Sequence, residues 1–319
     1  MEVIHINNFN DPHDPLPTDA IDTLEKIQGK FPGARRAHAK GVFYEAIFTP
    51  NGNAIPYTTA AHLQNEPVPA TVRFSNSPPN PTAADFLSPF KGMSVQFHLP
   101  NGTASHLVST TIPMFITKDP QTFIDMLKIL TADKTGLDKV DLGIGILNII
   151  KKYPERKNIL LALKEQFKQP PISYARLHYY PIHAFYFVNK EGKRQAIKYE
   201  WQPAQEKNPL KNSEAKITSP DYLSEELHER VLNGSVLFNL VIRLGEEGDA
   251  TDDSTDPWPD DRQQIVVGRL TLSKIRYPNE AILFDPTLVG VGIELTDDPV
   301  LHFRHNAYAV SFNKRIKNE

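Results

Sequence analysis

Strand-forming segments arrive in this chain as two sets of four. β-Branched and aromatic residues crowd into short runs at 42–49, 70–75, 93–99 and 106–112, bounded by Pro, Gly or Asn. A second set follows at 183–189, 195–202, 236–244 and 264–273. Between the sets, apolar residues recur at helical spacing over 120–132, 142–150 and 155–167, and a further such stretch at 222–232 is inserted in the second set. This pattern predicts an α+β fold, an antiparallel eight-stranded β-barrel with flanking helices, and not an alternating α/β sheet. Asn51-Gly52 and Asn101-Gly102 are turn signals, and the second fits a hairpin. The 27 prolines predict long extended connections. Ahead of the strands, Ile21, Leu24 and Ile27 mark a short amphipathic helix over 19–31, with Gly29 near its end. No internal repeat or linker divides the 319 residues, so one domain is expected.

Composition removes several chemistries. Lys and Arg number 35 against 38 Asp and Glu, a net charge of −3, so no basic excess is available to neutralise nucleic-acid phosphates. The absence of cysteine excludes disulfides, thiolate catalysis, Fe–S clusters and Cys-based zinc sites. The N-terminus, MEVIHINNFNDPHDPLPTD, has neither a basic nor an apolar segment of the secretory kind. The longest apolar run, around 142–150, contains Asn148 and is too short to cross a bilayer. A soluble cytoplasmic protein without stable membrane insertion is expected. Eight acidic residues fall between 246 and 261 and read as a solvated loop, since the spacing of Asp249, Asp252, Asp253 and Asp256 does not match an EF-hand.

The eleven histidines form no HExxH motif or dense ligand cluster. One of them, His38, stands in RRAHAKG at 35–41, beside two arginines and just before the first strand. A second notable segment is Arg304-His-Asn-Ala-Tyr308. The preceding Asp297-Asp298-Pro299 favours a helix start, which puts Arg304 and Tyr308 at i and i+4 on one face. A guanidinium over a phenol oxygen lowers the tyrosine pKa from about 10 and favours phenolate, a hard anionic ligand for ferric iron. Taken alone, the pair also reads as an ordinary cation–aromatic contact on a helix.

In this order, with a barrel between them, the two segments resemble the haem-binding core of the catalase superfamily. VRFS at 72–75 resembles a catalase motif. Pro113, Phe115, Asp119-Pro120 and Phe123 keep the order of a catalase stretch, and YAVSFNKR at 308–315 places an arginine seven residues after the tyrosine. The likeness runs from about His38 to Arg315. It implies haem b with Tyr308 as the proximal iron ligand and Arg304 holding its phenolate. His183 and Asp298 fall where the family places that arginine's partners. His38 corresponds to the distal base, and Ser75 to the residue that fixes its ring. Arg35, Arg73 and Arg315 would pair with the haem propionates, and Phe115 and Phe123 would pack on the distal side. The expected domain is residues 1–319, with the barrel at about 41–275 and the proximal tyrosine helix at about 298–312.

The sequence departs from that pattern in two places that bear on chemistry. Thr110, in the run Ser109-Thr110-Thr111, stands where a typical catalase has a distal asparagine, and which of the three hydroxyls faces inward is open. A hydroxyl offers one donor where an amide offers two. Ala37 replaces a bulkier residue before the distal histidine. The chain also stops four residues after Arg315, so the C-terminal helical region of full catalases, with the NADPH-binding and tetramer-wrapping parts, is expected to be lacking. What remains resembles the small catalase-related peroxidases. The implied activity is reduction of hydrogen peroxide or organic hydroperoxides with a small donor and weak catalase activity, with a homodimer plausible for this class. The alternatives are a fatty-acid hydroperoxide dehydrase or isomerase of the allene oxide synthase type, and a haem carrier or sensor without turnover. The synthases typically carry threonine where this chain has Ala37.

Overall fold

The computed structural model describes residues 14–131, 147–154, 170–204, 219–234, 236–277 and 281–319. All eight expected strands are present: β1 (Gly41–Pro50), β2 (Val68–Asn76), β3 (Lys91–His98), β4 (Ala104–Thr110), β5 (Ala184–Val188), β6 (Arg194–Pro203), β7 (Val236–Leu244) and β8 (Gln264–Arg276). A ninth, β9 (Ile293–Leu295), has three residues, too few to show a period in sequence. The strands form one antiparallel sheet in the order β4-β3-β2-β1-β8-β7-β6-β5-β9. The sheet curls into a barrel, and irregular backbone links its two edges. On β4, the His106 amide donates to Leu288 O at 2.7 Å, and Thr110 exchanges backbone bonds with Tyr180. The segment after Leu288 then crosses to β5, where Val188 N donates to Gly292 O at 2.9 Å and β9 pairs.

Alternation along the strands sorts the side chains. Tyr44, Phe48, Val72, Phe74, Val95, Phe97, Tyr199 and Trp201 fill the barrel. Phe48 meets Phe97 and Trp201 edge-on at 5.2 and 6.1 Å, a favoured aromatic geometry. The opposite face of β1–β4 is turned toward the helices and the site.

Four helices are complete among the described residues: α1 (Leu16–Gln28), α2 (Pro120–Thr131), α3 (Tyr222–Asn233) and α4 (Pro299–Ile316). The first begins and ends three residues earlier than its apolar spacing predicts. Pro17 is accommodated in its first turn, and Gly29, at φ 91°, closes it. Helix α4 starts where the sequence indicates: Asp298 caps it, accepting from Val300 N at 2.8 Å and Leu301 N at 3.4 Å, and Pro299 opens it. It continues to Ile316, beyond the expected end near 312, with Lys314 and Arg315 in its last turn where they favour the helix dipole. Of the stretch 142–150, residues 147–150 are helical, while 142–146 and the whole of 155–167 lie outside the described residues.

The acidic run at 246–261 is a loop with most of its carboxylates exposed, as expected, and it also packs inward. It wraps the buried Trp258, whose indole N–H donates to Ala250 O at 2.7 Å. Arg262 gathers Asp249 at 2.9 Å and Glu246 at 3.3 Å from behind, offsetting their mutual repulsion. No group of His, Asp and Glu suited to a metal ion occurs among the described residues. None of the described helices is long and apolar enough to cross a membrane.

Candidate active site

The strand register assembles one wall of the site. Gly41 pairs with Ser75, Ser75 with Gly92, and Gly92 with Thr110, so these residues lie in one row on the outer face of the sheet. The next row on that face holds Phe43, Arg73, Ser94 and Val108. The row between, with Phe74, Met93 and Ser109, turns into the barrel. Thr111 spends its hydroxyl on the Lys91 amide at 3.2 Å. Of the three consecutive hydroxyl residues, Thr110 therefore shares a face with Ser75.

His38 sits just ahead of β1 with φ 55°, in the left-handed region that a non-glycine residue enters rarely. Its amide donates to Ser77 O at 3.0 Å. Arg73 Nη2 donates to the carbonyls of His38 and Ala39 at 2.8 and 2.9 Å. The ring is fixed by a 3.0 Å hydrogen bond between Nδ1 and Ser75 Oγ. Burial, then the charges of Arg73, Arg304, Lys91 and Arg35, push the His38 pKa down to about 3, so the imidazole is neutral at ordinary pH.

Two glycines make this arrangement possible. A Cβ on Gly92 would lie 2.7 Å from Ser75 Oγ and 2.9 Å from His38 Nδ1. A Cβ on Gly41 would lie 2.6 Å from Arg73 Nη2. The sequence reading passed over both, although glycine within or opening a strand is a signal of close approach.

The opposing contribution comes from α4, which presents Phe303, Arg304, Ala307, Tyr308, Ser311 and Arg315 along one stripe to the cavity. Arg304 Nη2 donates to the Tyr308 oxygen at 2.7 Å, and Nη1 approaches His183 Nε2 at 2.9 Å. A guanidinium can only donate, so Nε2 accepts and the proton of His183 sits on Nδ1. Nδ1 donates it to Asp298 Oδ2, with 2.7 Å between nitrogen and oxygen. Burial outweighs the attraction of Asp298 and lowers the His183 pKa, which leaves the ring neutral. One carboxylate thus caps the helix and anchors, through His183 and Arg304, the phenol in its third turn.

Both groups open into one cavity of about 380 Å³. The expected residues Arg35, Arg73, Thr110, Phe115, Phe123 and Arg315 line it as well, while His183 and Asp298 stand behind Arg304. Arg35 and Arg315 both donate to Ile282 O, at 2.9 and 3.4 Å. Arg35 and Arg73 both stand over the Phe43 ring, at 6.0 and 5.5 Å, so the three arginines are neighbours. Phe115 and Phe123 are in contact, with ring centroids 5.3 Å apart. Helix α1 adds Ala20, Ile21 and Leu24 to the wall, a contribution that the sequence reading did not assign.

A neutral buried imidazole and a guanidinium-bound phenol thus converge on one cavity beside a curled antiparallel barrel. The sequence profile of the catalase family matches residues 18–319, and the chain belongs to the catalase family. It is similar to the catalase-related peroxidase of Mycolicibacterium paratuberculosis, with 32% identity over 303 residues and 94% of each chain covered. It is likewise 32% identical to the catalase-related peroxidase of Synechococcus elongatus, covering 94% of this chain and 89% of that one. The fold superimposes on a bacterial catalase with a TM-score of 0.79 at 23% identity, covering 99% of this chain and 63% of the other. The chain thus spans less than two thirds of that solved catalase.

Proposed function

We propose that the protein is a cytoplasmic haem-dependent peroxidase, working as a single haem domain in a homodimer. It reduces hydrogen peroxide or organic hydroperoxides with a small reducing donor and releases little oxygen. The observation that carries this reading is the convergence of the His38–Ser75 pair, the Arg304–Tyr308 pair and three neighbouring arginines on one cavity. The similarity to two catalase-related peroxidases supports it.

The donor set fits haem b. A tyrosine oxygen held by a guanidinium suits ferric iron, and Arg35, Arg73 and Arg315 suit two propionate carboxylates. Phe115 and Phe123 offer flat apolar contact. When bound, haem supplies the iron that takes the two oxidising equivalents of the peroxide.

The chain does the rest. Neutral His38 takes the proton from the inner peroxide oxygen and returns it to the outer one, which leaves as water or an alcohol. Its depressed pKa keeps the base in its working form, and Ser75 keeps the ring aimed. Asp298 and His183 hold Arg304, which holds the Tyr308 oxygen. Thr110 provides a single hydroxyl donor, which orients a second hydrogen peroxide weakly and limits oxygen release. Two electrons and two protons from the donor complete the reduction.

The test is stopped-flow mixing with hydrogen peroxide and with cumene hydroperoxide, following haem absorbance and oxygen together. Tyr308→Phe should lose or weaken haem binding. His38→Ala should keep haem and cleave peroxide about 10²–10⁴-fold more slowly, the usual worth of general acid–base catalysis. Normal peroxide turnover by His38→Ala would overturn the assignment.

A further inference from the structure

Three separate pieces of chain carry the distal pocket: the lead-in to β1 with His38, the end of β2 with Ser75, and the start of β3 with Gly92. Each is flanked by a residue engaged away from the cavity, respectively Lys40, Asn76 and Lys91. All three of these residues meet Asp85, whose side chain is buried. Asp85 Oδ1 accepts from Asn76 Nδ2 at 2.6 Å and pairs with Lys40 Nζ at 2.8 Å. Its Oδ2 accepts from Leu223 N at 2.8 Å, at the start of α3, and its backbone carbonyl accepts from Lys91 Nζ at 2.9 Å.

We propose that Asp85 is a positioning residue for the distal base: by tying the segments of Lys40, Asn76 and Lys91 to α3, it holds His38 in its left-handed backbone with the ring on Ser75. A left-handed non-glycine residue persists only where its surroundings over-determine it. The hydrogen bonds that hold His38 and Ala39, to Ser77 O and Pro78 O, depend on the loop that Asp85 belongs to. That loop returns through Ser88, which receives Ser77 N at 3.0 Å and Lys91 Nζ at 2.6 Å. Asp85 is not among the residues that line the cavity, and neither are Lys40, Asn76 and Lys91, so it acts through the backbone. The inference rests on His38 being the distal base, and its test separates the two ideas.

Hydrogen exchange of the full chain, read by mass spectrometry, reports the backbone at 38–39 without reference to turnover. In Asp85→Asn, exchange of these amides should speed up about tenfold or more, while β5–β7 exchange as in the wild type. Haem content should be unaltered and the reaction with hydrogen peroxide should slow about tenfold, in line with the sensitivity of catalysis to small misplacements. Asp221→Asn removes the other carboxylate on Lys40, which is half exposed, and should leave both measurements at wild-type values. If Asp85→Asn fails to fold, Lys40→Met removes the ion pair to Asp85 together with the bonds of Nζ to Ala83 O, Pro220 O and Asp221, and should give the same local acceleration, with Asp221→Asn as the control for the last of these. Unchanged exchange at 38–39 in the folded variant overturns the proposal, as does an equal effect from Asp221→Asn. Faster exchange with an unaltered peroxide rate supports the role of Asp85 and counts against His38 as the base.

Discussion

Replacing Gly92 by alanine perturbs the distal pocket by a single methyl group. The added carbon would stand 2.7 Å from Ser75 Oγ and 2.9 Å from His38 Nδ1. Ordinary contact for such atoms is about 3.5 Å, so the side chains must give by roughly 0.8 Å. The strands themselves cannot separate easily, because Gly92 is paired on both sides, with Ser75 and with Thr110. The ring of His38 is the movable partner, and moving it breaks the bond to Ser75. Losing that hydrogen bond costs about 1 kcal/mol and the overpacking roughly 1–3 kcal/mol, so a destabilisation of about 2–4 kcal/mol is expected. With His38 in the proposed role of proton carrier, a misplacement of this size costs about 10²-fold in rate. Haem retention should be unchanged, since Tyr308 and Arg304 belong to α4. Urea unfolding gives the stability and stopped-flow mixing with peroxide gives the rate. Adding Ser75→Ala removes the closest contact, so the double variant should recover stability without recovering rate, a non-additivity of about 1 kcal/mol or more. Wild-type stability together with a wild-type peroxide rate in Gly92→Ala would refute the argument.

Two further outcomes follow from the same geometry. Burial pushes the pKa of His62 down to about 3 and that of His106 to about 4, against about 6.5 in an unfolded chain. Below pH 6.5 the unfolded state therefore binds more protons, so stability is full above that value and is lost as the pH falls, by about 2 kcal/mol for one fully buried imidazole between pH 7.5 and pH 5. His62→Phe should remove its share of that slope, and identical urea midpoints for the wild type at the two pH values would contradict the account. Thr110→Asn supplies a second donor on the wall shared with Ser75. It should raise oxygen release from hydrogen peroxide about tenfold relative to organic hydroperoxide turnover, the worth of one added hydrogen bond. An unchanged ratio would show that this position does not orient the peroxide.

Much of the site was legible before any coordinates, and the parts that were not share a cause. The strand runs, the Asp298-Pro299 helix start and the facing of Arg304 and Tyr308 depend on residues within about one helical turn or one strand of each other, and local sterics and periodicity decide them. For that reason these elements appear where the sequence puts them, apart from shifts of a few residues at the ends of α1, α4, β4 and β8. The absence of cysteine by itself also removed thiol chemistry. Tertiary structure decided which consecutive hydroxyl turns outward at 109–111, because that depends on how β4 is registered against β3, and a slip of one residue would exchange the faces. It also decided that His38 is left-handed, that Gly92 leaves room for its ring, and that His183, 115 residues from Asp298 in the chain, bridges it to Arg304. The union of Lys40, Asn76 and Lys91 on Asp85 is of the same kind. Such contacts form only once the barrel core has packed and drawn distant segments together, and no pattern within a single segment encodes them.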